Sequence, residues 1–122
     1  ELLLAQRDPH LRCRVTWLDD AAADESTAAL ASGLVPRVRE WEELVRSGFE
    51  RRVGQMDQLL VDLGEMPPPA STTAFGLWVA AFINPLPALG VAPEIRPAVV
   101  QAQDSATMLH AVKQGLQLSI AR

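Results

Sequence analysis

The chain has 122 residues, a length typical of one domain, and 48% of them are hydrophobic while 21% are charged. Its 15 acidic residues outnumber its 11 basic residues, giving a formal net charge of −4. Nucleic acid is therefore an unfavourable partner, because counterion release needs an excess of cationic side chains. The single cysteine, Cys13, excludes an internal disulfide and any multi-cysteine zinc site.

Residues 1–18 have the pattern of β-strands. Apolar and polar side chains alternate over residues 11–17, which is the period of a strand with one buried face. Asp8 and Pro9 favour a turn before this segment, so residues 1–6 are predicted to form the preceding strand. Cys13 and Trp17 are predicted to face the interior. His10 then lies on the opposite face from Cys13 and cannot serve as its base.

Residues 19–34 are predicted to form an acidic loop and a short helical turn. Small and acidic side chains dominate its first half, and Ser26 or Thr27 is a suitable helix N-cap. Gly33 and Pro36 favour an end to this turn and the start of a new helix, because proline is tolerated in a first helical turn.

Residues 35–63 are predicted to form one long amphipathic helix. Apolar side chains recur at about 3.6 residues per step, which is the α-helical period. They are Leu34, Val38, Trp41, Val45, Phe49, Val53, Met56, Leu60 and Leu63. Gly48 and Gly54 would each cost about 1 kcal/mol relative to alanine within such a helix, so packing must hold it together.

Three shorter helices are predicted to follow and to complete a helical bundle over residues 35–122. Gly64 is a natural C-cap, and residues 67–69 are a proline connector. The first of the three helices begins at Ser71 or Thr72, ends at Ile83 and is apolar on nearly all sides. The second lies within residues 93–103, and the third begins at Asp104 or Ser105. Its apolar face is formed by Leu109, Val112, Leu116 and Ile120.

No residue pattern in the chain indicates catalysis. Gly-rich phosphate loops are absent, and Lys113 and Ser119 lie six residues apart on different sides of one helix. His110 is predicted to be a solvated or packing residue. The longest apolar segment, residues 74–83, is about half as long as a membrane span requires. We therefore expect no catalytic, cofactor-binding or metal-ligating residue, and no membrane span.

Trp41, Phe49 and Met56 are the candidates for contact with a partner. They share the apolar stripe of the predicted long helix. The simpler interpretation is that the stripe packs in the core. The alternative is that it is partly exposed and binds an apolar protein segment, since aromatic and methionine surfaces make adaptable binding grooves.

Several segments taken in order resemble the Lon substrate-binding domain, also called the LON N-terminal domain. Residues 6–18, QRDPHLRCRVTWL, resemble its Q-x-x-P-Y-L-x-A-x-V-x-W-L strand segment, with His10 at the usual tyrosine position. Residues 75–87, FGLWVAAFINPLP, resemble its F-W-x-A-x-x-x-P-L helix end. In DSATML, Met108 stands where D-x-x-x-R-L has arginine. The segments NPLPALG and EIRP are most similar to plant and algal stand-alone versions.

The resemblance implies a mainly α fold with a short β portion. Residues 1–18 would be the last strands of a PUA-like β-barrel, residues 19–34 an acidic loop and helical turn, and residues 35–122 the helical bundle. It also implies a non-catalytic protein-recognition module acting in protein quality control on unfolded substrates, with a plastid location. The alternative is a structural or accessory subunit of a larger assembly that keeps the fold without recognising substrates. No site residue is transferred by motif.

Overall fold

The computed structural model describes residues 2–3, 12–14, 24–85 and 89–121. These residues form five helices: α1 (Glu25–Arg46), α2 (Gln55–Leu63), α3 (Thr72–Ile83), α4 (Arg96–Gln101) and α5 (Ser105–Ile120). Two strands of two residues each, β1 (Leu2–Leu3) and β2 (Arg12–Cys13), pair antiparallel. The predicted positions of Trp17 and of most of the acidic loop lie outside the described residues.

The prediction that the chain contains the last strands of a PUA-like β-barrel is wrong. Strands in globular proteins usually have 3–10 residues, whereas β1 and β2 have two each. In the described part of the chain they pair only with each other and contact no helix. In the described residues the core comes from the helices and from Leu89, Val91 and Ile95 in the segment before α4, and Cys13, predicted to be buried, is exposed. The fold is a helical bundle.

Helix α1 begins earlier than predicted. Its N-cap is Asp24, whose Oδ1 accepts the Thr27 backbone N–H at 2.8 Å, so Ser26 and Thr27 already lie inside the helix. The helix also continues through Gly33 and Pro36, where an end was predicted. Burial of its apolar face offsets the weak helix propensity of these two residues. That face consists of Ala31, Leu34, Val38, Trp41 and Val45.

The prediction of one long helix over residues 35–63 is wrong, because α1 ends at Arg46 and α2 begins only at Gln55. Gly54 takes a φ of +77°, a conformation that glycine adopts without steric cost. The turn is held by side chains, because Glu50 Oε1 accepts the Met56 N–H at 3.0 Å and Gln55 Oε1 accepts the Arg51 N–H at 2.9 Å. An ion pair from Arg46 to Asp57, 2.8 Å long, links the two helices.

The remaining helices follow the predictions closely. Gly64 is the C-cap of α2, and α3 ends at Ile83 as expected. Pro97 lies in the first turn of α4. Asp104 caps α5 by accepting the Thr107 N–H at 2.7 Å.

Helices α1, α3 and α5 pack against one another around a continuous hydrophobic core, while α2 and α4 each pack on α3. The fully buried ring of Phe82 is edge-on to Trp41 at 5.1 Å and stacked on Trp78 at 5.0 Å. The helices approach closely at Gly76, where an added Cβ would lie 2.6 Å from the Met108 methyl group. This core fixes α3, the element on which the candidate site is built.

Candidate functional site

The three predicted partner-binding residues do not form a shared surface. Trp41 is 0% exposed and Met56 is 1% exposed, so both belong to the core, whereas Phe49 is 45% exposed in the turn after α1. The turn over residues 47–54 separates Phe49 from the face that the apolar period assigned to it. A partner could therefore contact Phe49 but not Trp41 or Met56 in this fold.

The buried side chain of Trp41 makes a hydrogen bond within the core. Its indole Nε1–H donates to the Ser119 Oγ at 2.8 Å, and the Ser119 hydroxyl donates to the Val91 carbonyl at 3.0 Å. Ser119 is itself fully buried. The arrangement links α1, α5 and the segment before α4, and it commits Ser119 to a structural role.

An apolar groove of about 430 Å³ lies between α2, α3 and α4. Helix α3 forms its floor, and α2 and α4 form its walls, since each of them packs on α3 but neither contacts the other. The two alanines of the floor are small and leave room above α3. The lining residues are Leu59, Asp62, Leu63, Leu77, Ala80, Ala81, Asn84, Pro85, Arg96, Val99 and Val100.

Two large apolar side chains in this groove face solvent. Leu77 on the floor is 51% exposed, and Val100 on the α4 wall is 82% exposed. Isolated exposed apolar residues are ordinary, but these two share one concave surface with further leucines, valine and alanines.

Asn84 holds the α4 wall in place. Its side-chain amide donates to the Pro93 carbonyl at 3.0 Å and to the Ile83 carbonyl at 3.1 Å, and its Oδ1 accepts the Ile95 N–H at 2.7 Å. These bonds fix the segment that leads into α4 against the end of α3. The wall is thus positioned by one polar side chain at the helix terminus.

The charges at the groove are unequally compensated. Arg96 Nε donates to Glu94 Oε1 at 2.8 Å, and the hydrogen bonds from the Arg96 side chain and backbone lower the pKa of Glu94 from 4.5 to about 2. Asp62 accepts only a neutral donor within the described residues, the Gln58 amide at 2.9 Å. Asp62 is therefore the one lining charge that no described side chain neutralises.

The described residues contain no group of three or more histidine, cysteine, aspartate or glutamate side chains that could hold a metal ion. His110 is exposed on α5, and Lys113 is half-buried on the same helix. None of the described helices combines the length and the apolar character that crossing a membrane would require.

Sequence reasoning missed the groove, although one signal pointed to it. Helix α3 is apolar on almost every side, which predicts that its outer face is also covered. In the structure α2 and α4 cover that face only in part. The gap between them is the groove.

Comparisons with protein-family models, with curated proteins and with solved structures find no match to this chain. The resemblance to the Lon substrate-binding domain thus stays a prediction.

Proposed function

We propose that the chain is a non-catalytic protein-recognition module that binds an apolar segment of a partner protein in the groove between α2, α3 and α4. The observation that carries the proposal is the exposure of Leu77 and Val100 within one concave apolar surface. Burying these side chains on binding would be favourable at about 25 cal/mol per Å² of apolar surface removed from water.

The lining favours binding over catalysis. Its polar side chains are Asp62, Asn84 and Arg96, and all three already bond to groups of this chain. A helix-in-groove site needs an apolar channel with few polar groups at its edges, which is the composition of this lining.

The resemblance supports the same class of function. A Lon substrate-binding domain recognises apolar or unfolded protein segments, and the groove offers a surface for them without any contribution from a barrel. The implied plastid location rests on the resemblance alone.

The second hypothesis, a permanent subunit of a larger assembly, has weaker support. Permanent interfaces bury about 2,000–5,000 Å² and are mainly apolar. In the described part of the chain six large apolar side chains are exposed, and only Leu77 and Val100 of them line the groove. This distribution favours a small, reversible contact.

A display library of amphipathic helical peptides tests the proposal, with the full chain as bait. We expect peptides with an apolar stripe to be enriched, and the Leu77→Asp variant to lose at least about tenfold in affinity for them, because a charge would be buried in the apolar groove. Leu118→Asp is the matched control, since Leu118 is 55% exposed on α5, away from the groove.

Circular dichroism first establishes that both variants remain folded. No enrichment over an empty surface, or equal loss of binding in both variants, would refute the groove as a recognition site. Selective loss in Leu77→Asp supports it.

A further inference from the structure

We propose that the groove selects a basic partner: an amphipathic helix that carries lysine or arginine beside its apolar stripe. This inference rests on the proposed function and specifies the chemistry of the segment bound there.

The shape of the groove fits a short helix. The lining residues of the α3 floor run from Leu77 to Asn84, about 10 Å along the axis, and those of the α2 wall run from Leu59 to Leu63, about 6 Å. Apolar anchors at positions i, i+3 or i+4, and i+7 of a bound helix span about 10 Å along the axis. The stripe of one such helix therefore matches the length of the floor and would lie along Leu77, Ala80 and Ala81.

The uncompensated charge of the groove is negative. Asp62 lies in the lining and has no cationic partner in the described ranges, whereas Arg96 is neutralised by Glu94. Asp57, the other acidic residue of α2, is paired with Arg46. Helix α3 carries no charged side chain that could offset Asp62.

Two of the three helix termini at the groove add to this negative potential. Leu63 is the last residue of α2 and Asn84 is the C-cap of α3, whereas Arg96, the first residue of the short helix α4, marks the one positive terminus. The C-terminal end of a helix carries a partial negative charge and favours nearby cations. The formal net charge of −4 acts in the same direction at longer range. A cation beside the apolar stripe is thus favoured, and a carboxylate there is disfavoured.

Two synthetic peptides with the same leucine spacing test this selectivity, one with lysine and one with glutamate at its polar positions. Binding of each labelled peptide to the full chain is measured by fluorescence anisotropy at low and high salt. We expect the lysine peptide to bind at least about tenfold more tightly at low salt, and the preference to shrink at high salt because salt screens exposed charges.

The Asp62→Asn variant then locates the effect. We expect it to weaken the lysine peptide by about two- to fivefold, the range for one exposed ion pair. Glu43→Gln is the matched control, because Glu43 is an exposed carboxylate on α1 outside the groove. An effect of equal size in both variants would show that net charge, and not Asp62, sets the preference, and would overturn selection by the groove.

The outcomes separate this inference from the proposed function. Equal affinity of the two peptides, with both lost in Leu77→Asp, overturns the basic preference and leaves the groove as a recognition site. Binding of neither peptide also overturns the inference, and the library selection then decides the proposed function alone. Self-association of the chain in sedimentation experiments, removed by Leu77→Asp, would identify a second copy as the occupant and contradict the inference.

Discussion

Ser119 joins three parts of the molecule through a single hydroxyl group. Located on α5, it accepts the indole N–H of Trp41 from α1 and donates to the Val91 carbonyl in the segment before α4. The Ser119 hydroxyl is no exception among the buried polar groups, because all described buried side-chain nitrogen and oxygen atoms have a hydrogen-bond partner. A buried indole N–H without an acceptor would be costly, which explains why a serine is present in an apolar core.

Ser119→Ala is expected to lower the free energy of unfolding by about 1–3 kcal/mol, the cost of leaving a buried donor unsatisfied. The substitution removes the acceptor of the Trp41 N–H and the donor to Val91 without adding volume. Chemical denaturation followed by tryptophan fluorescence measures the change. Ser71→Ala serves as control, because Ser71 is exposed and makes no side-chain capping bond, and we expect a change within about 0.5 kcal/mol there. Equal effects of the two substitutions would contradict this role of Ser119.

Two glycines of the helical elements have opposite requirements. Gly33 lies inside α1, and a Cβ added to it would meet nothing within 4 Å. Gly54 is equally open, but its φ of +77° places it in the left-handed region at the start of α2. An added Cβ therefore has room at both positions, and only the backbone conformation differs.

Gly33→Ala is expected to raise the free energy of unfolding by about 0.5–1 kcal/mol, because alanine restricts the unfolded chain and favours helix. Gly54→Ala is expected to lower it by about 1–2 kcal/mol, the cost of an L-residue in the left-handed region. Each variant serves as the control for the other in thermal denaturation. Stabilisation by both would indicate that α1 and α2 join into one helix, as the apolar period alone predicts.

The helix boundaries that the sequence predicts well are those marked by capping chemistry. Asp104 and Gly64 were identified from residue type, and α3 ends where Asn84 and Pro85 follow it. The break between α1 and α2 was missed because apolar spacing continues through Phe49 and Val53, which the structure leaves exposed. Periodicity shows which side chains could share a face, but tertiary packing decides which of them are covered.

At the scale of the whole molecule, the groove depends on contacts that no local pattern contains. Leu59, Leu77 and Val100 come from three different helices and meet only because α2 and α4 both pack on α3. The sequence marked α3 as apolar on all sides, but it could not show that its cover is incomplete. The same limitation placed the predicted partner surface at Trp41 and Met56, which the packing of the bundle buries.

The stability of the bundle in acid depends on the aspartates that begin its two longest helices, α1 and α5. Hydrogen bonds from Thr27, side chain first and backbone second, hold the pKa of Asp24 below 3.8, its ordinary value. The Thr107 backbone N–H, followed by its side chain, does the same for Asp104. A folded-state pKa below the unfolded value means that the caps contribute fully above about pH 3.8 and that their contribution is lost as pH falls through the folded pKa.

Replacing both caps in an Asp24→Asn/Asp104→Asn double variant separates capping from titration. Asparagine caps helices about as well as aspartate but does not ionise, so we expect similar melting temperatures at pH 7 and a smaller fall between pH 5 and pH 2.5 than in the unmodified chain. Thermal denaturation by circular dichroism measures both values.

The Glu43→Gln/Glu65→Gln double variant is the matched control. It removes the same number of carboxylates at exposed positions outside the caps, and we expect it to keep the original pH dependence more closely. An unchanged acid dependence in the cap variant would place the loss of stability elsewhere in the bundle. The ion pair of Glu94 with Arg96 would then be the next group to vary. The pKa of Glu94 is lowered from 4.5 to about 2, so the contribution of this ion pair to the stability of the fold is lost as the pH falls from 4.5 to about 2.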